Sequence, residues 1–437
     1  MKKWELSVAL SLMASMSAAV SLPVLANDAN DAKPDSGFEV HGFAKAAGDF
    51  ESELDRAKTV GLHYDPDAPN QKPRGKFGKL GNDYWHDLDV ILFMKKKWNN
   101  IFTAGEWADF TYQVEGYGDG SIDSGQAFVR FGGLPFLDEG ATVWAGRRNF
   151  DHRLRTLAYA IEEAEFDSGV GYNSKNFDFA VGTNQVNYTS DDHNPGAIVA
   201  SEGTNSAVDT AYRFGNAELG LTYVRELDSP LGFTEKQQAI SVKGKYKIPG
   251  SFFGMFDGRS LVELQAGKGV LAQYLNTSRI TVLSEEEDTS MRLTFDGSIT
   301  EFEGWSIDST LMYEFTDRQD DREVASLPDT IRGGTTYFGS ADETGIFGDV
   351  TVSQAITDHI SLTYEANYMH STNKDGVDGV DGSAYKLAFG PTLQLKSHPR
   401  FAPQVTMSVA YFAGDEEVTY LDSSSEVRFG YQMQLWF

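Results

Sequence analysis

Val427-Arg428-Phe429-Gly430-Tyr431-Gln432-Met433-Gln434-Leu435-Trp436-Phe437 alternates along its whole length between two kinds of side chain. Val427, Phe429, Tyr431, Met433, Leu435 and Phe437 fall on one face of an extended strand. Arg428, Gln432, Gln434 and Trp436 fall on the other, because successive side chains of a strand point to opposite faces. One face is apolar, the other polar, and the segment ends on an aromatic. This predicts the closing strand of an antiparallel transmembrane β-barrel, apolar toward lipid and polar toward water. Trp436 is the exception, a large aromatic on the polar side.

The beginning of the chain agrees. Residues 1–26 read as a secretory signal peptide, with Lys2 and Lys3 ahead of an apolar, small-residue run from Leu6 to Val20 and a Val24-Leu25-Ala26 cleavage pattern. A short polar segment, 27–37, precedes a barrel domain spanning 38–437. Beyond residue 26 the longest apolar run, Val90 to Met94, is far below the ~18 residues a membrane helix needs. An exported chain without such a helix still enters a membrane if it closes a barrel, which leaves no backbone edge unpaired. The expected location is the bacterial outer membrane, with its lipid and lipopolysaccharide as surroundings.

Composition excludes more than it assigns. The absence of cysteine removes disulfides, thiol catalysis and Cys-zinc sites. The net charge of −27 argues against nucleic acid as a partner, although an acidic soluble β-protein carries the same balance. No H-E-x-x-H, nucleophile elbow or P-loop is present. The chain is read as no enzyme and as holding no cofactor or metal; Asp375, Asp378 and Asp381 are read as loop turns, since a closing EF-hand Glu is missing.

Alternating segments recur throughout. They cover 38–46, 76–94, 101–115, 127–131, 141–148, 207–214, 217–225, 240–246, 260–266, 291–295, 306–315, 346–353, 360–369, 384–389, 404–412 and 427–437. One or two more are expected in the poorly patterned stretch 168–204. Asp-Gly pairs at Asp119, Asp257, Asp296, Asp375, Asp378 and Asp381, and Gly215-Asn216, are expected to mark turns. Long polar inserts at 49–74, 151–171, 187–204 and 317–335 contrast with short gaps at 95–100 and 132–139. Sixteen to eighteen strands, long loops on one rim and short turns on the other describe a barrel with an aqueous bore.

Parity then assigns the bore. Phe43 shares a face with Glu39, His41 and Lys45, and Trp85 with Lys79, Asp83, Asp87 and Asp89. Three strands thus set one aromatic among charges on the water side, and Phe43 and Trp436 are expected to be neighbours where the first and last strands meet. Sugar C–H faces stack on aromatic planes while hydroxyls seek charged partners. A stack of the order of an aromatic pair, ~0.5–1.5 kcal/mol, lets a sugar enter and still leave. The plainer alternative is a packing residue under a loop, or a belt residue displaced by a bulge.

Six segments in order resemble the maltoporin family of sugar-specific porins. They are Phe38-Glu39-Val40-His41-Gly42-Phe43-Ala44-Lys45, Lys79-Leu80-Gly81-Asn82, Val143-Trp144-Ala145-Gly146-Arg147-Arg148, Asp167-Ser168-Gly169-Val170-Gly171, Ser397-His398-Pro399-Arg400 and Gly430 through Phe437. The resemblance implies an 18-stranded barrel with long extracellular loops and an inward-folded constriction loop. It also implies a homotrimer and passive diffusion of maltose and maltodextrin-type oligosaccharides, with slower passage of other sugars and ions. It places Phe43 and Trp436 in an aromatic slide, Tyr117 where a neighbouring subunit receives a slide aromatic, and Lys45, Lys79 and Asp89 in a polar track. This sequence departs from the family at Asp87, where a slide tyrosine is expected and Trp85 stands in nearby, and at Gly125, where an arginine is expected. The constriction segment carries Arg153, Arg155, Tyr159, Glu162 and Glu163, read as pore-lining. The broken slide leaves a general-diffusion, cation-preferring porin as the alternative, and a β-rich binding protein as a third reading.

Overall fold

The computed structural model describes residues 37–51, 61–62, 75–76, 80, 87–102, 105–116, 122–150, 164–188, 201–228, 238–269, 288–302, 304–317, 343–373, 381–395, 403–415 and 424–436. Its strands are β1 (Phe38–Phe50), β2 (Gly61–Leu62), β3 (Gly75–Lys76), β4 (Asp87–Asn99), β5 (Trp107–Gly116), β6 (Ile122–Gly132) and β7 (Thr142–Phe150). Then come β8 (Ala164–Asn173), β9 (Phe177–Tyr188), β10 (Ser201–Phe214), β11 (Ala217–Asp228), β12 (Gln238–Pro249), β13 (Arg259–Gly269) and β14 (Thr289–Phe302). The series ends with β15 (Trp305–Asp317), β16 (Glu343–Ala355), β17 (Ile360–Asn373), β18 (Asp381–Gln394), β19 (Gln404–Gly414) and β20 (Ser425–Trp436).

β2 and β3 pair only with each other. The other strands form one 18-stranded antiparallel sheet. It closes because β1 pairs with β4 on one side and with β20 on the other. Closure removes the free edge, so every barrel strand finds hydrogen-bond partners on both sides, the condition for sitting in lipid. Short connections such as 174–176, 215–216 and 303–304 lie on one rim, and long ones such as 51–86, 270–288 and 318–342 on the other. The expected Gly215-Asn216 hairpin is present, with Phe214 opposite Ala217 and Gly215 at φ 58°, a left-handed value glycine adopts readily.

The two faces part as the alternation predicts. On β20, Phe429, Tyr431 and Met433 are 45–48% exposed while Arg428, just before them on the other face, is 1% exposed. Leu219, Val242, Leu264, Leu311, Leu387 and Met407 continue the exposed apolar face around the barrel. The inward face carries charged and amide side chains together with two apolar clusters, one containing Leu80, Met312, Phe347, Met369 and Phe412, the other Phe128, Trp144, Phe166, Ala207 and Val224.

Four expectations change. The long strand foreseen at 76–94 is divided: Lys76 pairs with Gly61, Leu80 lies in a turn, and the barrel strand starts at Asp87 and runs through the expected gap to Asn99. Consequently β5 starts at Trp107, after a turn in which Asn100 takes φ 56°. Asp296-Gly297 is no turn but sits inside β14, where Gly297 lies beneath the rings of Phe252 and Phe253; a Cβ there would come within 2.6 Å of Phe253. Asp381-Gly382 opens β18 and pairs with β17. The stretch 168–204 supplies the two missing elements, since β8 and β9 complete the eighteen.

Candidate functional site

The inner wall is built by register. Phe43 stands opposite Trp436 and Lys45 opposite Gln434 across the β1–β20 seam. On the other side of β1, Phe43 faces Ile91, Lys45 faces Asp89 and Ala47 faces Asp87. The Phe43 and Trp436 rings touch, with centroids 4.4 Å apart and planes tilted by 44°. Trp436 is 52% exposed on the bore side, close to the rim of short turns. Lys45 is buried beside them.

Other inward aromatics are placed differently. Trp144 and Phe166 are nearly inaccessible, at 3% and 0%. Each lies against a glycine of the next strand: a Cβ at Gly171 would come within 2.4 Å of the Trp144 ring, and one at Gly182 within 2.5 Å of Phe166. Trp107 covers Gly132 in the same way. These rings fill the wall, whereas Trp436 presents area to whatever passes through the bore. Parity reasoning missed this group. The signal for it was the inward-facing glycines Gly169, Gly171 and Gly182, which leave room that a neighbouring ring takes up.

Charges around the wall are arranged in cross-strand pairs. Lys95 and Arg130 meet Asp109 at 3.6 and 2.8 Å. Arg213 pairs with Asp178 and, at 2.9 Å, with Glu218. Lys245 lies 3.7 Å from Glu218 and 3.3 Å from Glu263. Arg292 meets Glu314 at 2.7 Å, and Lys386 meets Glu365 at 2.8 Å. Within β20 itself, Arg428 pairs with Glu426 two residues away at 2.6 Å, and its guanidinium lies 4.3 Å from the centre of the Phe412 ring on β19. Antiparallel neighbours share a face, so opposite charges directly across from each other satisfy one another. The wall thus offers many hydrogen-bonding groups, with several of its charges paired between neighbouring strands.

Of the sequence-derived site residues, the structure brings Phe43, Trp436 and Lys45 together, with the backbone of Asp87 and Asp89 in register beside them. Lys79, Trp85, Tyr117, Arg153, Arg155, Tyr159, Glu162 and Glu163 lie outside the described residues, as does the expected constriction loop. The side chains of Asp87 and Asp89 are likewise outside them.

A closed 18-stranded barrel with an apolar exterior and a polar, charge-paired interior defines a porin, a passive channel of the bacterial outer membrane. The family model described as LamB porin matches residues 40–437, and the chain belongs to that family. Among solved structures, a double variant of OccD1 (OprD) is similar with a TM-score of 0.50 and 10% identity, over 95% of this chain and 99% of that one. OprD of Pseudomonas aeruginosa gives 0.47 and 11%, over 95% and 99%. The channel DcaP of Acinetobacter baumannii gives 0.43 and 9%, over 93% and 99%. At these identities the likeness concerns the fold.

Proposed function

We propose that this porin is a sugar-specific channel that lets maltose and maltodextrin-type oligosaccharides diffuse passively across the outer membrane, and that it works as a homotrimer. The observation that carries the reading is the Phe43–Trp436 pair, an exposed aromatic surface on the bore side beside the polar register of Lys45, Gln434 and Asp89. A glucose ring has an apolar C–H face and an equatorial rim of hydroxyls. It stacks on the indole while its rim exchanges water for lysine, amide and carboxylate partners. Membership of the LamB porin family supports the same reading. Trp85 and Tyr117 extend the stacking file. Lys79, Arg153, Arg155, Tyr159, Glu162 and Glu163 extend the polar track and constriction.

The deciding experiment is single-channel recording in planar bilayers with maltodextrins of graded length. A sugar-specific channel shows current block that saturates with sugar concentration and tightens with chain length. A current indifferent to every maltodextrin would instead identify a general-diffusion channel, with cation preference as its expected signature.

A further inference from the structure

The turn between β12 and β13, residues 250–258, is built differently from other turns on the short-turn rim. Gly250-Ser251-Phe252-Phe253-Gly254-Met255-Phe256 carries no charge, whereas other connections on that rim read Ser174-Lys175-Asn176, Gly215-Asn216 and Ile356-Thr357-Asp358-His359. The turn also folds to the outside of the barrel. On β14, Arg292 faces inward to pair with Glu314, so Gly297, at the opposite parity, faces outward. The rings of Phe252 and Phe253 lie against this glycine, 2.8 and 2.6 Å from where its Cβ would stand. Ser260, opposite Gly297 in the β13–β14 register, shares that outer face and is buried.

Four consecutive amides of the turn are satisfied without water. The Phe252 N–H donates to the Phe256 carbonyl at 2.7 Å and the Met255 N–H to the Phe252 carbonyl at 3.0 Å. The Phe253 N–H donates to Ser260 Oγ at 2.7 Å, and the Gly254 N–H to Ser251 Oγ at 2.8 Å. Ser260 Oγ in turn donates to the Ser251 carbonyl at 2.9 Å. Closing the backbone in this way takes Phe253 to φ 48°, a left-handed value that a bulky residue rarely adopts. In water such closure is unnecessary, because solvent serves the amides of a turn. A segment that enters lipid must bring its own partners. Outside this closed backbone, Met255 and Phe256 are 66% and 58% exposed.

The surroundings point the same way. Near this rim the outer face of the neighbouring strands carries exposed rings, Phe177 on β9, Tyr212 and Phe214 on β10 and Tyr246 on β12. Aromatic girdles of this kind sit at the membrane interface. On β13 and β14 the cross-strand pair Ser260 and Gly297 supplies no ring. Phe252 and Phe253 cover that gap from the turn, and Met255 and Phe256 extend the apolar surface beyond it.

We propose that the 250–258 turn is an interfacial anchor, which seats Met255 and Phe256 at the headgroup–acyl boundary of the inner, phospholipid leaflet of the outer membrane. Short turns of such barrels lie on the periplasmic side, which assigns the leaflet. Lipid is the occupant because the surface is uncharged, backbone-closed and continuous with the outward apolar face. The anchor is independent of what the bore conducts.

The chain contains no cysteine, so Met255→Cys and, as a reference on the same rim, Asn216→Cys each create one attachment point for an environment-sensitive nitrobenzoxadiazole dye. Phe256→Cys takes the place of Met255→Cys if the label at 255 hinders assembly, which heat-modifiable gel mobility checks. The labelled barrels are reconstituted into phosphatidylcholine vesicles, with and without lipid bearing a nitroxide near the top of its acyl chain. The dye at 255 is expected to emit to the blue of the dye at 216 and to be quenched several-fold more strongly by the nitroxide lipid. Equal emission and equal quenching at the two positions would overturn the proposal. So would a blue-shifted dye at 255 that the nitroxide lipid leaves unquenched, since the turn would then be covered by protein, a second copy or a periplasmic partner, rather than by lipid.

Discussion

At the scale of single residues, exposure separates rings that pack from rings available to a solute. Trp436 and Trp144 are both inward-facing tryptophans, but only the former leaves half its surface uncovered. Replacing Trp436 by Ala is expected to weaken maltodextrin block about tenfold, equivalent to ~1.4 kcal/mol, read from the concentration dependence of the blocked current. Phe43→Ala should act in the same direction, because it removes the ring that supports the indole. Trp144→Ala should leave block unchanged and lower the temperature at which the barrel loses its heat-modifiable form, since large-to-small changes at packed sites cost about 3–5 kcal/mol. Equal loss of block in both tryptophan variants would contradict the distinction.

At the scale of elements, strands were legible wherever the inward face is polar and the outward face apolar, as on β17 to β20. β8 and β9 were harder to read because the inward positions of this region hold Gly169, Gly171, Ala180 and Gly182, which erase the polar half of the alternation. A register shift between Gly146 and Arg148 in the β7–β8 pairing also breaks the period there. The β4 boundary was misplaced for a different reason: 76–86 shares the composition of a strand, but Leu80 is drawn to a partner on β17 that no local pattern announces. The seam contact was legible because parity in two strands and closure of the ring suffice to predict it. The glycines under rings also make a prediction. A Cβ at Gly182 would meet Ser168 O at 2.5 Å as well as the Phe166 ring. Gly182→Val is therefore expected to lower the yield of assembled barrel and its melting temperature, whereas Gly244→Val, where the nearest atom is a Leu219 methyl carbon at 3.8 Å, should be tolerated.

At the scale of the whole molecule, the barrel is held in its membrane by the outward apolar face and in its shape by closure. Leu311 is 52% exposed near the middle of β15. Leu311→Arg is expected to destabilise the barrel by about 2–4 kcal/mol in lipid, the cost of a cation at the bilayer midplane, measurable by denaturant titration in vesicles. An unchanged midpoint would place Leu311 away from the hydrocarbon. The seam has a consequence for the order of assembly. Phe43 and Trp436 belong to strands at opposite ends of the barrel sequence, so their meeting is among the most non-local contacts the chain makes, and such contacts form late because the intervening chain must be closed into a loop first. The ring pair does not exist in a half-wound sheet. Fluorescence of Trp436 is therefore a clock for the final joining step, and any affinity resident at that pair is switched on only in molecules that have finished folding.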